Sequence, residues 1–387
     1  MPVIDIAEKV KKTGTGVTLG DPLKPSRREL LRAGALFAAL PLGGRPATAA
    51  ADITLGAVAK RSGIHFGTSI AADTLLNPAQ AALYRREARL FTVDWALMFA
   101  YLRPQADQFR PNGAEAILAF AATTGVPVHG HALAWNESRP DWLMKLSKAE
   151  KRKALDRHID ETVGHFAGRL PSWNVVNEPF WPGHGRPGDF RDGPWLQAFG
   201  PGYVERAFKR AQAADPKARL VLNEAMTEAW TEDGARIRKA LLRLIDTLQD
   251  AGVRLDAVGL QGHLQPGRPF DDAGFADFLH EIAERKVEIW ITELDVDDSS
   301  FADDIPERDA AVAARYRDFL GAVLAVPAVT TVITWQLADS ASWYDHAARE
   351  LDPDAARLPR PLPFDEQFRP KPAFDAMVAA FGAATKE

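Results

Sequence analysis

The sequence predicts an α/β fold, a single (β/α)8 barrel, on three observations. From Ala51 onward, short apolar runs rich in strand-forming residues alternate with longer amphipathic runs, the pattern of repeated βα units around a parallel sheet. Eight such units can be counted, and no low-complexity linker or second block of composition interrupts them. Polar side chains also gather where the strands end, the face on which such barrels build their sites. A length of about 330 residues suits one barrel of this kind.

Taken in order, the expected strands are Ile64–Ser69, Arg89–Val93, Val126–Leu133, Ser172–Asn177, Arg219–Asn223, Ala257–Gly262, Glu288–Leu294 and Thr330–Gln336. Between them lie helical patterns. Lys148–Gly168 spreads charges around apolar positions, and in Thr231–Asp250 the residues Leu241, Leu244, Ile245 and Leu248 recur at helical spacing. Asp250-Ala251-Gly252 then supplies a stop signal.

Composition narrows the function classes. The chain is 46% hydrophobic and 26% charged, as in soluble globular proteins, and its net charge of -5 offers no general attraction to nucleic acid or an anionic membrane. With no cysteine it has no disulfide, thiolate nucleophile or cysteine metal site. The first 50 residues read as an export signal. Arg27-Arg28 precede an apolar stretch, Ala33 to Leu42, that is far short of the ~20 residues needed to span a bilayer. Small residues, Ala47-Thr48-Ala49-Ala50-Ala51, follow and suit a peptidase. The mature chain is therefore expected to begin near Ala50, after twin-arginine export to the periplasm or medium, leaving residues 51–387 as one catalytic domain. It is expected to be a monomer, bound to no membrane.

The strand ends carry the chemistry. In order they present His129 and His131, Asn177 and Glu178, Asn223 and Glu224, Gln261 and His263, Glu293 and Asp295, then Trp335 with Asp339 and Trp343 just beyond. Ser172–Asn177 and Ile289–Leu294 are both buried-strand patterns that deliver a glutamate, which points to a carboxylate pair across a cleft. Such a pair matches glycosidic bond cleavage: one carboxyl protonates the leaving oxygen while the other attacks the anomeric carbon or activates water. Trp135, Trp335 and Trp343 suit the apolar faces of sugar rings, whereas imidazole and amide groups suit the hydroxyls.

These residues resemble glycoside hydrolase family 10, the β-1,4-xylanase family, from about Ile64 to Phe381. The matching motifs are His129-Gly130-His131-Ala132-Leu133-Ala134-Trp135, Trp173-Asn174-Val175-Val176-Asn177-Glu178, Gly259-Leu260-Gln261-Gly262-His263-Leu264 and Ile291-Thr292-Glu293-Leu294-Asp295. Trp335 to Trp343 and Phe364-Asp365 to Pro370-Lys371-Pro372 complete the set. The resemblance implies a retaining enzyme of the endo-1,4-β-xylanase type, needing no cofactor or metal and acting on a polysaccharide, oligosaccharide or glycoside. It makes Glu178 the acid/base and Glu293 the nucleophile, with Asn177 on the 2-hydroxyl of the cleaved sugar and His131 and Gln261 holding that sugar. His263 is expected between Glu293 and Asp295.

Three departures bear on the substrate. Where the family usually has Glu-Asn-x-x-Lys, this chain has Asp94-Trp95-Ala96-Leu97-Met98, so the polar grip on a second sugar is largely replaced. Asn136 follows Trp135 where His is common, and Gln336 follows Trp335 where Gly is common. Asp94 and Trp95 therefore belong with the substrate-binding candidates, and a decorated oligosaccharide or a glycoside with a hydrophobic aglycone is an alternative substrate. Two rival functions stay open. His129 and His131 on one face of a strand also suit a metal-dependent hydrolase, although Glu178 and Glu293 then have no role. A carbohydrate-binding protein that has lost catalysis is the other rival.

Overall fold

The computed structural model describes residues 53–265 and 267–384, so the expected twin-arginine segment at 1–50 lies outside the described residues. The barrel strands are β1 His65–Ile70, β2 Phe91–Val93, β3 Val128–Gly130, β4 Ser172–Asn177, β5 Arg219–Glu224, β6 Ala257–Leu260, β7 Glu288–Val296 and β8 Val329–Thr334. Each pairs in parallel with the next, and β8 returns to β1 with Thr331 opposite His65, which closes the sheet. One principal helix follows each strand: α1 Pro78–Glu87, α2 Asn112–Thr124, α3 Lys148–Phe166, α4 Tyr203–Ala214, α5 Glu232–Asp250, α6 Asp272–Glu284, α7 Ile305–Leu324 and α8 Pro372–Ala383. Among the described residues no helix is long and apolar enough to cross a membrane.

Local chemistry sets the helix ends. α3 starts in a capping box, in which the Ser147 hydroxyl accepts the Glu150 N–H at 3.3 Å and the Glu150 carboxylate accepts the Ser147 N–H at 2.9 Å. α5 is capped by Thr231 and carries Glu232 and Asp233 in its first turn, where the helix dipole favours negative charge. Its apolar stripe, Ile237, Leu241, Leu244, Ile245 and Leu248, is buried. Each such side chain contributes roughly 1.5–3 kcal/mol by leaving water. The stop expected at Asp250-Ala251-Gly252 lies there, with Gly252 at a φ of 64°.

Two strands end earlier than their apolar runs. The run Val126–Leu133 forms a ladder over Val128–Gly130 only, and pairing with β4 resumes at Ala134–Trp135. Gly130 lies flat against Trp173, where an added Cβ would sit 2.3 Å from the ring, and beyond it His131 turns inward to Asn174. β8 stops at Thr334 because Gln336 adopts a left-handed conformation, φ 74°, that no ladder accommodates.

β4 and β7 each carry an irregularity just before their glutamate. Between Asn174 and Val176, β4 advances two residues while β5 advances one, from Val221 to Leu222. From Ile291 to Leu294, β7 advances three residues against two on β8. An extra residue of this kind reverses the side-chain alternation beyond it. Val175 and Val176 consequently both join the core outside the barrel, and Asn177 turns inward like Asn174. On β7 the consecutive residues Thr292 and Glu293 both reach Asn223. Leu90, Val221, Ala257, Trp290 and Ile333, drawn from around the ring, form a separate cluster that fills the barrel interior.

Candidate active site

Glu178 follows β4 with a φ of 49°, a conformation rare for a residue with a side chain. Its Oε1 accepts the Gln261 amide at 2.9 Å, and its Oε2 accepts the Trp135 indole N–H at 3.0 Å. The same oxygen meets Arg191 Nη2 at 2.9 Å, while Arg191 Nε donates to the Glu178 carbonyl at 3.0 Å. Arg191 is steadied in turn by the Trp181 ring, whose centre lies 4.8 Å from the guanidinium carbon.

Glu293 is the more enclosed of the two, its side chain 7% exposed against 15% for Glu178. Its Oε1 accepts the Asn223 amide at 2.7 Å, and its Oε2 faces His263 Nε2 at 3.1 Å. The other imidazole nitrogen meets Asp295 at 2.8 Å, and Asp295 also accepts the Trp343 indole N–H at 2.8 Å. Burial alone would depress the imidazole, but Asp295 and Glu293 outweigh it and hold His263 well above its ordinary pKa. Burial raises the Glu293 carboxyl, opposed by His263 and the Asn223 amide, which favour the ionised form.

One hydrogen-bonded frame joins the two carboxylates. The Asn223 amide reaches both Glu293 and Asn177 Oδ1, the latter at 2.8 Å, and the Gln261 amide reaches Asn177 Oδ1 at 3.4 Å as well as Glu178. Asn223 itself is oriented by the Thr292 hydroxyl, which donates to its Oδ1 at 2.6 Å. His131 has its Nδ1 2.7 Å from the amide of Asn174, on the strand that carries Asn177, and its ring edge-on to Trp335 at 5.3 Å. Burial pushes His131 down to about 3 and His129 down to about 4, so both imidazoles are neutral. His129 lies deeper, bonded to Ser172 at 2.8 Å and edge-on to Trp290. Among the described residues no three His, Asp or Glu side chains are grouped to hold a metal ion.

Hydrogen bonds join Glu178, Glu293, His263, Asp295, Asn177, Gln261, Trp135 and Trp343 into one network, while His131 and Trp335 pack against each other. Trp95 is stacked on Tyr101 at 6.0 Å and lies 6.3 Å from His346. Asp94 is buried beside Gln336. Asn136 is also buried, its Oδ1 accepting the Trp195 N–H at 3.1 Å. Arg191 is a functional neighbour that the sequence did not single out, whereas Asn223 was visible as a strand-end amide without a role. Arg191 sits in a Gly- and Pro-rich loop with no spacing signal. That loop is folded back by the Phe180–Phe190 bridge, and Glu224 secures its base by accepting the Phe180 N–H at 3.1 Å.

Comparison with known proteins agrees with this geometry. The family model for glycosyl hydrolase family 10 matches residues 54–380. The chain is 33% identical over 360 residues to endo-1,4-beta-xylanase A of Cellvibrio japonicus, an alignment covering 85% of this chain and 55% of that enzyme. It is 29% identical to endo-1,4-beta-xylanase B of Thermotoga neapolitana, over 84% of this chain and 91% of that one. Among solved structures, xylanase 10B of Thermotoga petrophila in complex with xylobiose superposes with a TM-score of 0.75 at 26% identity, covering 85% of this chain and 97% of the other. Native xylanase 10B of Thermotoga maritima gives the same TM-score, 0.75, at 27% identity, over 85% and 98% of the two chains. With its closed barrel and a family match over most of its length, the chain belongs to glycosyl hydrolase family 10.

Proposed function

We propose that the protein is a retaining β-glycosidase of the endo-1,4-β-xylanase type, acting on β-1,4-linked xylosides or related glycosides. The observation that carries this reading is the pair of glutamates on one frame in unlike surroundings, Glu293 enclosed between His263 and Asn223, Glu178 against Trp135, Gln261 and Arg191. Glu293 attacks the anomeric carbon as the bond to the leaving oxygen breaks, and Glu178 gives that oxygen its proton. Glu178 then takes a proton from water, which attacks the same carbon and releases Glu293. Two inversions restore the starting configuration. Proton NMR of the first-formed product is expected to show the anomer of the substrate, and an inverted product would overturn the assignment of Glu293 as nucleophile.

Substrate preference is inferred to depart from linear xylan. At the end of β2, Asp94, Trp95 and Met98 stand where the family usually grips a second sugar with Glu, Asn and Lys. Each charge-assisted bond lost removes ~1.5–3 kcal/mol. Two of them amount to on the order of a hundredfold or more. Adding sugars on the non-reducing side should therefore raise kcat/KM only slightly, measured as xylobiose and xylotriose against an aryl xyloside. A large gain per added sugar would contradict this. The half-buried, stacked Trp95 favours a decorated sugar on the non-reducing side.

Export through the twin-arginine route belongs to the same proposal, on the strength of Arg27-Arg28 before a short apolar run. Replacing both arginines by lysine is expected to leave the precursor in the cytoplasm. Unchanged export of that variant would remove the idea.

A further inference from the structure

The end of β2, where the family pattern is most altered, holds a built polar network. The Gln336 side chain is 2% exposed and is used at both ends. Its amide donates to Asp94 Oδ2 at 2.7 Å, and its carbonyl oxygen accepts the Tyr84 hydroxyl at 2.6 Å. Tyr84, from α1, also accepts the Leu337 N–H at 3.1 Å, and the Gln336 N–H donates to Ser69 Oγ of β1 at 2.9 Å. The Gln336 side chain joins α1 to the end of β2 and its backbone N–H reaches β1, in a left-handed backbone conformation that glycine would adopt without strain. A glutamine kept there despite that cost, with both polar ends committed, is placed to hold Asp94.

Asp94 is tied to the residues at the end of β8 through Gln336, which follows Trp335 in the chain. It directly follows β2, whose ladder with β3 sets Thr92 opposite His129. His131 meets Trp335, the residue immediately before Gln336. Asp94 also feels the charge of Glu293, which adds to burial in raising its carboxyl to about 7 against the pull of the Gln336 amide. Oδ2 is committed to Gln336, whereas Oδ1 has no protein partner among the described residues and is not among the oxygens sealed from solvent. The apolar Trp95 and Met98 lie half-buried just beyond.

Resting on the glycosidase reading above, we propose that Asp94 Oδ1 binds a hydroxyl of the sugar being cleaved, and that Gln336, braced by Tyr84, is the positioning residue that sets it there. Asp94 thereby supplies at the reacting sugar part of the polar grip that the outer residues lack. A free carboxyl oxygen accepts from a hydroxyl, so the substrate class is a β-glycoside whose reacting ring carries a hydroxyl on the β2 side of the cleft.

The test compares 4-nitrophenyl β-xyloside with its 2-, 3- and 4-deoxy analogues in the wild type, Asp94→Ala, Gln336→Met and Tyr84→Phe. Above the Asp94 value of about 7, where the carboxyl is ionised, a charge-assisted hydroxyl contact is worth ~10- to 100-fold in kcat/KM, so one deoxy analogue should carry a penalty of that size in the wild type. In Asp94→Ala and Gln336→Met this one penalty should collapse to within about threefold while the others persist, a pattern that general loss of structure would not produce. Tyr84→Phe leaves Asp94 in place and is expected to give a partial collapse; it serves where the larger changes fail to fold. Penalties that stay the same in every folded variant would overturn the proposal. So would a collapse seen only with 4-nitrophenyl β-xylobioside deoxygenated on its outer sugar, which would assign Asp94 to the second ring. Absence of wild-type turnover on every aryl glycoside would instead remove the glycosidase reading, and this proposal with it.

Discussion

Glu293→Ala is expected to lower turnover of every glycoside by on the order of 10⁴–10⁶-fold, the range seen when a covalent nucleophile is removed from an active site. Asn223 at 2.7 Å and His263 at 3.1 Å each hold one Glu293 oxygen, so the carboxylate is preset rather than recruited on binding. No neighbour is placed to replace it, because Asp295 is committed to His263 and Trp343. Added azide enters the vacated space and attacks from the nucleophile's side, so the rescued product should be the glycosyl azide of inverted configuration. A folded variant that keeps more than about one per cent of wild-type turnover, far above the expected loss, would show that the covalent step runs elsewhere.

Glu178→Ala has the second largest expected effect, and it depends on the leaving group. General acid catalysis contributes about 10²–10⁴-fold, needed most where the departing oxygen is a poor leaving group. Xylo-oligosaccharides should suffer the full loss. An aryl glycoside with a good leaving group should form the covalent intermediate at nearly the normal rate and then stall, because no base activates water. Azide needs no base, so it should accelerate the second step and give a glycosyl azide of retained configuration, opposite to that from Glu293→Ala. Arg191, Trp135 and Gln261 all lose their shared partner in this variant, so its thermal stability should be measured alongside. A loss of the same size for all leaving groups would mean that Glu178 supports the site without transferring a proton.

Much of this was legible in the sequence because it depends on local pattern. Eight runs of strand-forming residues separated by amphipathic stretches dictate a parallel barrel, since each strand needs a helix to cover its outer face. The glutamates could be picked out because each ends a buried-strand pattern, and the helix stop at Gly252 because a left-handed φ favours glycine. Strict alternation fails where it matters most. Counting from Asn174, alternation sends Asn177 outward, and counting from Trp290 it sends Glu293 away from Asn223.

The chain alone therefore determined which side chains stand at the strand ends, and tertiary structure decided which way they face. An extra residue on β4 and another on β7 turn Asn177 and Glu293 into the barrel. These irregularities arise from mismatched advance between neighbouring strands, a property of the pairing that neither strand carries by itself. Long-range partners were hidden for the same reason. Arg191 reaches Glu178 only because its loop folds back, and Gln336 meets Asp94 across 242 positions of chain because barrel closure brings β8 beside β1 and β2. Read in sequence, Gln336 is one polar residue in place of glycine, but in the closed barrel its amide fixes the orientation of a buried carboxylate that feels the charge of Glu293.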